Sequence, residues 1–297
     1  MRLATFNGGS IGRVEATDLV DITELVAQSG SWSQGQVSPM RQLVQRWDEL
    51  ALRAAEHDGR RWALADVCLD APVPDPSKIL AAPVNYSDHK AEMSVSSQVD
   101  GLGLFLKSPA SLIGSNGVVR LPYTDRRFDQ EGELAIVIGG HAHRIEKDPL
   151  LRVFGYTALL DITMRGGEDR STRKSFTSFT PAGPWLVTRD EFGDSESVDL
   201  RCTVNGHLQQ QANTRDLIWG VAALVEYASW ISPLHPGDII STGTPAGVDQ
   251  ILAGDRICVQ LSGMEGELAV SVSDEDAVLS HTSGKDSGPQ PPPSSRG

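Results

Sequence analysis

The sequence is short of cysteine, of long apolar runs and of basic charge, and each shortage closes off a class of function. Three cysteines, Cys68, Cys202 and Cys258, stand far apart in 297 residues and form no C-x-x-C pair. An odd, scattered set of this kind argues against a disulfide framework or a zinc knuckle and predicts three buried thiols in a reducing cytoplasm. No apolar run approaches the roughly 20 residues of a membrane-spanning helix. Residues 1–6 lack the long apolar core of a secretory leader and read as an opening strand. Twenty-six basic against 39 acidic side chains give a net charge of −13 and a pI near 4.9. That balance disfavours nucleic acid and anionic membrane as partners, while local cations can still hold a small anion. Also missing are a G-x-S-x-G elbow, a P-loop, a G-x-G-x-x-G turn and an H-E-x-x-H helix.

What is present centres on residues 128–140, F-D-Q-E-G-E-L-A-I-V-I-G-G. The Ile- and Val-rich half reads as a buried strand that ends in glycines. Side chains alternate faces along a strand. Glu131, Glu133, Ala135 and Val137 therefore share one face, and Leu134, Ile136 and Ile138 take the other. Two carboxylates entering a core side by side repel each other, and burying them unpaired costs several kcal/mol. A hard divalent cation removes that cost by drawing charged oxygens onto one point. An E-x-E pair alone is more often a solvated strand end, so the reading needs further residues.

Taken in order, residues 1–71 read as a small module. It has short strands at 2–6, 13–16 and 19–22 and a helix over 39–56 with Ser38 as its cap. No chemistry is evident in it. The P-V-P-D-P of 72–76 is a stiff connector. A strand at 79–83 leads into N-Y-S-D-H-K-A-E-M, where Ser87 or Asp88 caps a short helix. His89 and Glu92 then share one face, and a carboxylate beside an imidazole fixes its tautomer. Residues 94–103 have the composition of a mobile loop. Strands follow at 103–107 and 118–122. A short helix at 148–153, capped by Asp148, precedes a strand at 154–162 that closes on Asp161. The cations Arg165, Arg170, Arg173 and Lys174 lie just beyond, and 166–180 reads as a long loop. After strands at 185–188 and 200–204, Asn205-Gly206 signals a hairpin. The clearest helix spans 214–231. Next come a strand at 239–242, a loop of small residues at 243–248, and strands at 256–261 and 267–272. From about 274 the chain is rich in Ser, Gly, Asp and Pro and reads as a disordered tail.

Together these pieces carry a resemblance. N-Y-S-D-H-K-A-E-M, F-L-K-S-P, E-G-E-L-A-I-V-I-G, G-Y-T-A-L-L-D-I-T-M-R, R-K-S-F, G-P-W, V-N-G and P-G-D-I-I-S-T-G-T-P-A-G-V occur in that order. Over residues 78–272 the chain resembles the fumarylacetoacetate hydrolase family. The resemblance implies a mixed α/β, β-rich fold. Its catalytic domain of coiled mixed sheets would cover 72–273, between the 1–71 module and the 274–297 tail. It further implies a homodimer that binds Mg²⁺ or Mn²⁺ and acts on a small 2-oxo acid.

By position, Glu131, Glu133 and Asp161 match the metal carboxylates, and His89 and Glu92 match a dyad on a lid-like helix. Lys174 matches an assisting lysine. Arg165 and Thr244 match residues that hold the substrate's carboxylate, with Tyr86 and Lys107 as nearby substrate-binding positions. The chain departs from the family pattern at Leu160, Gly166-Gly167, Glu168 and Thr177, so the wall facing the substrate differs. The implied reaction is metal-dependent hydrolysis of a C–C bond in a 2,4-dioxo acid. Decarboxylation or isomerisation of a 2-oxo diacid at the same site, and a non-catalytic binding role, are the alternatives.

Overall fold

Residues Gly132–Ile138 form a strand in which every residue is buried. Its alternation separates two cores. Leu134, Ile136 and Ile138 pack with Ile257, Val259, Leu268 and Val270 of a second sheet. Ala135 and Val137 pack with Met40, Leu43, Val44 and Leu50 of two helices near the chain start. Each such aliphatic side chain contributes about 1.5–3 kcal/mol on burial. The face assignment made from the sequence holds.

The computed structural model describes residues 1–26, 36–93, 96–284, 287–288 and 293–294. Its larger sheet runs in the order Arg61–Ala63, Asp18–Asp21, Ser10–Glu15, Arg2–Phe6, Thr180–Thr188, Val153–Leu160, Gly132–Ile138, Ile239–Ser241, Ile79–Ala81, Phe105–Lys107. Leu112–Ile113 pairs with Thr180–Thr188 off this path. The second sheet is five-stranded: His207–Asn213, Asp199–Val204, Arg256–Leu261, Leu268–Ser273 and Val118–Arg120. This is the β-rich mixed α/β architecture expected. Gly132 lies where the sheets approach closely. A Cβ there would come 3.0 Å from the Cβ of Cys202, which is why a glycine sits between the two glutamates.

Several expectations require correction. The first strand pairs with Thr180–Thr188, Arg2 opposite Val187, so the opening strands extend the main sheet. The helix expected over 39–56 is two, Pro39–Gln45 and Trp47–Glu56, with Arg46 at the junction. Ser38 caps the first, accepting from the Arg41 amide. The 148–153 helix is a 3₁₀ turn, Pro149–Arg152, and Asp148 makes no side-chain cap. The long 214–231 helix shrinks to a Thr214–Asp216 turn and a Val221–Ile231 helix. Asn85 explains the break. It takes the backbone N–H of Ile218 on its carbonyl and that of Trp219 on its side chain, both at 2.8 Å. A long-range partner thus overrides the local helical pattern.

Within the expected 166–180 loop, Arg170–Arg173 forms one helical turn capped by Asp169. Of the expected mobile loop at 94–103, residues 94–95 lie outside the described residues, and Val99–Leu102 is helical with Val99 buried. The tail expected to be disordered from 274 instead pairs at first. Val278 exchanges backbone hydrogen bonds with Pro122 and Thr124, and Gly284 accepts from Gly167. Backbone pairing orders this stretch despite its polar composition. Of the thiols expected to be buried, Cys202 is, Cys258 is intermediate and Cys68 is exposed. Among the described residues no helix is long and apolar enough to cross a membrane.

Candidate active site

Antiparallel register builds the acidic centre. Gly132 pairs with Leu160, so the residue after that strand, Asp161, falls beside Glu131, and the Asp161 amide donates to the Glu131 carbonyl at 2.8 Å. One carboxylate oxygen from each of Glu131, Glu133 and Asp161 lies within 4.8 Å of the others, and all three residues are buried.

Their partners differ, and this divides their chemistry. Lys174, at the end of the Arg170–Arg173 turn, donates to Glu131 Oε2 and Asp161 Oδ2, both at 2.6 Å, and to Thr163 at 2.7 Å. Arg165 donates to Glu131 at 3.2 Å and to Asp129 at 2.6 Å. Burial works to raise the Glu131 carboxyl, but Lys174 and Arg165 outweigh it and hold the group well below the usual carboxylate range. Glu133 receives hydrogen bonds from neutral donors only, the Ser241 hydroxyl and the Gly243 amide, the latter at 2.8 Å. Burial first, and Asp161 next, push its carboxyl up to about 8. An acid cluster whose third member lacks a cation, lined with hard oxygens, fits a divalent ion such as Mg²⁺ or Mn²⁺.

Opposite the acids stands the Ser87–Glu92 helix. His89 Nδ1 is 3.0 Å from Glu92 Oε2, and the other oxygen of Glu92 accepts from the Gly247 amide at 2.9 Å. Gly247 has φ +97°, and a Cβ there would fall 1.9 Å from the Gln209 carbonyl, so the glycine that holds Glu92 has no substitute. The expected caps Ser87 and Asp88 are replaced by Tyr86 at the N-cap, which makes no side-chain bond. Just before this helix, the β-branched Val84 adopts φ 50°. Backbone strain of this kind persists where the surroundings over-determine it. Asn85 supplies that hold, donating to the Trp219 and Thr242 carbonyls at 2.9 and 2.8 Å.

A cavity of about 50 Å³ joins the two halves, lined among others by His89, Glu131, Glu133, Asp161, Arg165, Arg170, Arg173, Lys174 and Thr244. Eight of the ten candidate residues from the sequence therefore converge, counting Glu92 through its bond to His89. Two do not line the cavity. Tyr86 is 1% exposed, and its hydroxyl has no hydrogen-bond partner among the described residues. Burial, then Glu133, raises the pKa of that hydroxyl. Lys107 is also 1% exposed. Its ammonium donates to Asp161 Oδ1, to the Lys174 carbonyl at 2.5 Å and to the Phe179 carbonyl at 3.1 Å. All three of its donors are used, so the expected substrate contact gives way to a structural one. It clamps Asp161 and the end of the Lys174 turn. Burial lowers its pKa, and Asp161 offsets only part of that.

Three further residues carry no signal in the sequence. Gln210 accepts from the Gly132 amide at 2.8 Å and donates to Thr244 and to the Pro245 carbonyl. It thereby ties the E-G-E strand to the small-residue loop. Asp129, fully buried, receives Arg165 and Arg127. Asn85 anchors the base of the His89 helix. Each acts on partners remote in sequence.

Comparison with known proteins agrees with this arrangement. Residues 78–275 match the family model described as fumarylacetoacetate (FAA) hydrolase, C-terminal. A maleylpyruvate hydrolase from Aquipseudomonas alcaligenes is 39% identical over 92% of this chain and 99% of its own length. The crystal structure of a maleylpyruvate hydrolase from Sphingobium sp. SYK-6, in complex with manganese(II) and pyruvate, is similar at a TM-score of 0.83. It is 39% identical, covering 92% of this chain and 99% of that one. A 5-carboxymethyl-2-hydroxymuconate delta-isomerase from Mycobacterium smegmatis is similar at a TM-score of 0.72. It is 30% identical, covering 93% and 99% of the two chains.

Proposed function

Because the chain belongs to the fumarylacetoacetate hydrolase family, we propose that it hydrolyses the C–C bond between C3 and C4 of a 2,4-dioxo acid of the acylpyruvate class. The observation that carries this reading is the pairing, across one cavity, of three buried carboxylates with an imidazole held by a carboxylate.

Glu131, Glu133 and Asp161 would hold the divalent ion. When bound, such an ion polarises the 2-oxo group and anchors the substrate. His89 takes a proton from water, and Glu92 fixes the tautomer that leaves the outer ring nitrogen free to do so. The hydroxide adds to the C4 carbonyl. As the C3–C4 bond breaks, its electrons pass to C3 as an enolate, which is then protonated to pyruvate. The acyl half leaves as a carboxylic acid. Lys174 and Arg165 place positive charge beside the developing anion. Thr244, held by Gln210, and Arg165 lie where the substrate's carboxylate enters.

The similarity to the maleylpyruvate hydrolases over nearly the whole chain supports hydrolysis. The likeness to the delta-isomerase keeps one second reading, a double-bond shift at the same site without delivery of water. Incubation with Mn²⁺ and acetylpyruvate or maleylpyruvate, with pyruvate followed by a coupled reductase, tests the choice. Pyruvate with an equimolar acid is the expected result. An absorbance change at constant mass would favour isomerisation, and no turnover of any acylpyruvate would sink the hydrolase reading.

A further inference from the structure

The cavity holds more positive charge than its acids use. Three acidic side chains line it, Glu131, Glu133 and Asp161, against four basic ones, Arg165, Arg170, Arg173 and Lys174. Arg165 and Lys174 are engaged with acids. Arg173 is not. It is 7% exposed, and its hydrogen bonds run only to backbone carbonyls. Nε donates to Glu168 at 2.8 Å and Nη1 to Met164 at 3.3 Å. Neither Arg173 nor Arg170 has an acid at ion-pair distance among the described residues. A buried guanidinium without a counter-ion is costly unless something arrives to meet it.

The chain's departures from the family pattern build this arrangement. Glu168 is turned into a two-point bond with Arg126, at 2.8 and 2.7 Å. Its carboxylate is thereby neutralised, while its carbonyl orients Arg173. Gly166 is what lets Arg126 in, because a Cβ at that position would fall 2.1 Å from Arg126 Nη2. Arg126 also donates to the Arg165 carbonyl at 2.9 Å, so one guanidinium fixes the loop that carries Arg165 and Arg173.

We propose that Arg173, with Arg170 beside it, receives a second carboxylate at the far end of the substrate, so that this site selects 2-oxo diacids over monoacids of equal length. The proposal rests on the reading that the ligand is a 2-oxo acid. With a divalent ion added, the lining would carry three positive charges in excess, which a dianion answers better than a monoanion. A planar guanidinium with free N–H groups suits a carboxylate.

The test uses binding, so it stands apart from turnover. Calorimetry on the Mn²⁺-loaded protein compares 2-oxoadipate with 2-oxohexanoate, equal in length and differing in the distal carboxylate. The wild type should prefer the diacid. Arg173→Gln should weaken 2-oxoadipate by about 10–100-fold and move 2-oxohexanoate by less than about threefold, since the loss is one charge-assisted contact. Arg173→Lys should restore part of the preference and serves if the glutamine variant fails to fold. Equal affinity of the wild type for both ligands, or an unchanged preference in Arg173→Gln, overturns the assignment. So does equal loss of both ligands in Arg173→Gln. Absence of acylpyruvate turnover alongside a diacid preference lost in Arg173→Gln would reject the hydrolase reading and leave this one standing.

Discussion

Replacing Lys107 by Met separates a structural lysine from a substrate-binding one. The methionine keeps most of the buried stem and removes the ammonium. Asp161 Oδ1 and the carbonyls of Lys174 and Phe179 each lose a donor where no water reaches them. Asp161 keeps Lys174 on its other oxygen, so the centre is weakened and not emptied. Breaking a buried ion pair by removing one partner costs about 3–5 kcal/mol. For a chain of this size that corresponds to a fall in Tm of roughly 5–15 °C. Thermal denaturation followed by far-UV circular dichroism, in EDTA to exclude bound metal, measures it. A substrate contact would behave differently, raising KM while leaving Tm in place. A Tm within about 2 °C of wild type, together with a raised KM, would refute the clamp.

Three further outcomes follow from the site. His89→Ala and Glu92→Gln should each lower kcat by about 10²–10⁴-fold while Mn²⁺ affinity by calorimetry stays at the wild-type value; weakened metal binding would move His89 into the ligand set. Asp161→Asn should weaken Mn²⁺ binding at least about tenfold, and unchanged binding would remove Asp161 from the metal centre. Arg126, followed by Thr282, holds the Glu168 carboxyl down to about 2. Its contribution to stability is therefore complete above the unfolded value near 4.5 and is lost as pH falls through about 2. Glu168→Gln should flatten that part of the acid-denaturation profile, and an unaltered profile would show that the fork with Arg126 contributes nothing.

Legibility from the sequence followed the range of each interaction. Glu131, Glu133 and the faces of their strand were readable because strand alternation is local, and His89 with Glu92 because one helical turn sets their distance. Asp161 stood out as an acid closing an apolar strand, although its place beside Glu131 depends on strand register. Lys107 was misread because a lysine in F-L-K-S-P says nothing about where its ammonium ends. Gln210, Asn85 and Asp129 stayed silent because their partners lie far along the chain. Asn85 also accounts for the helix drawn too long at 214–231, since it captures the backbone of Ile218 and Trp219. The stretch after 274 was judged by its poverty of apolar residues, yet main-chain pairing and the contacts of Thr282 and Gly284 hold it in place.

The strand Arg2–Phe6 lies in mid-sheet, between Ser10–Glu15 and Thr180–Thr188. A ribosome thus delivers an interior strand first and one of its two neighbours much later. Until residues 186–187 emerge, one side of that strand presents bare amides and carbonyls to whatever else is being made nearby. Closing the sheet means joining chain segments separated by well over half the polypeptide, a slow step for any fold. The exposure of this protein to misassembly is therefore greatest during synthesis, and chaperone demand should fall sharply once the Thr180–Thr188 strand has left the exit tunnel.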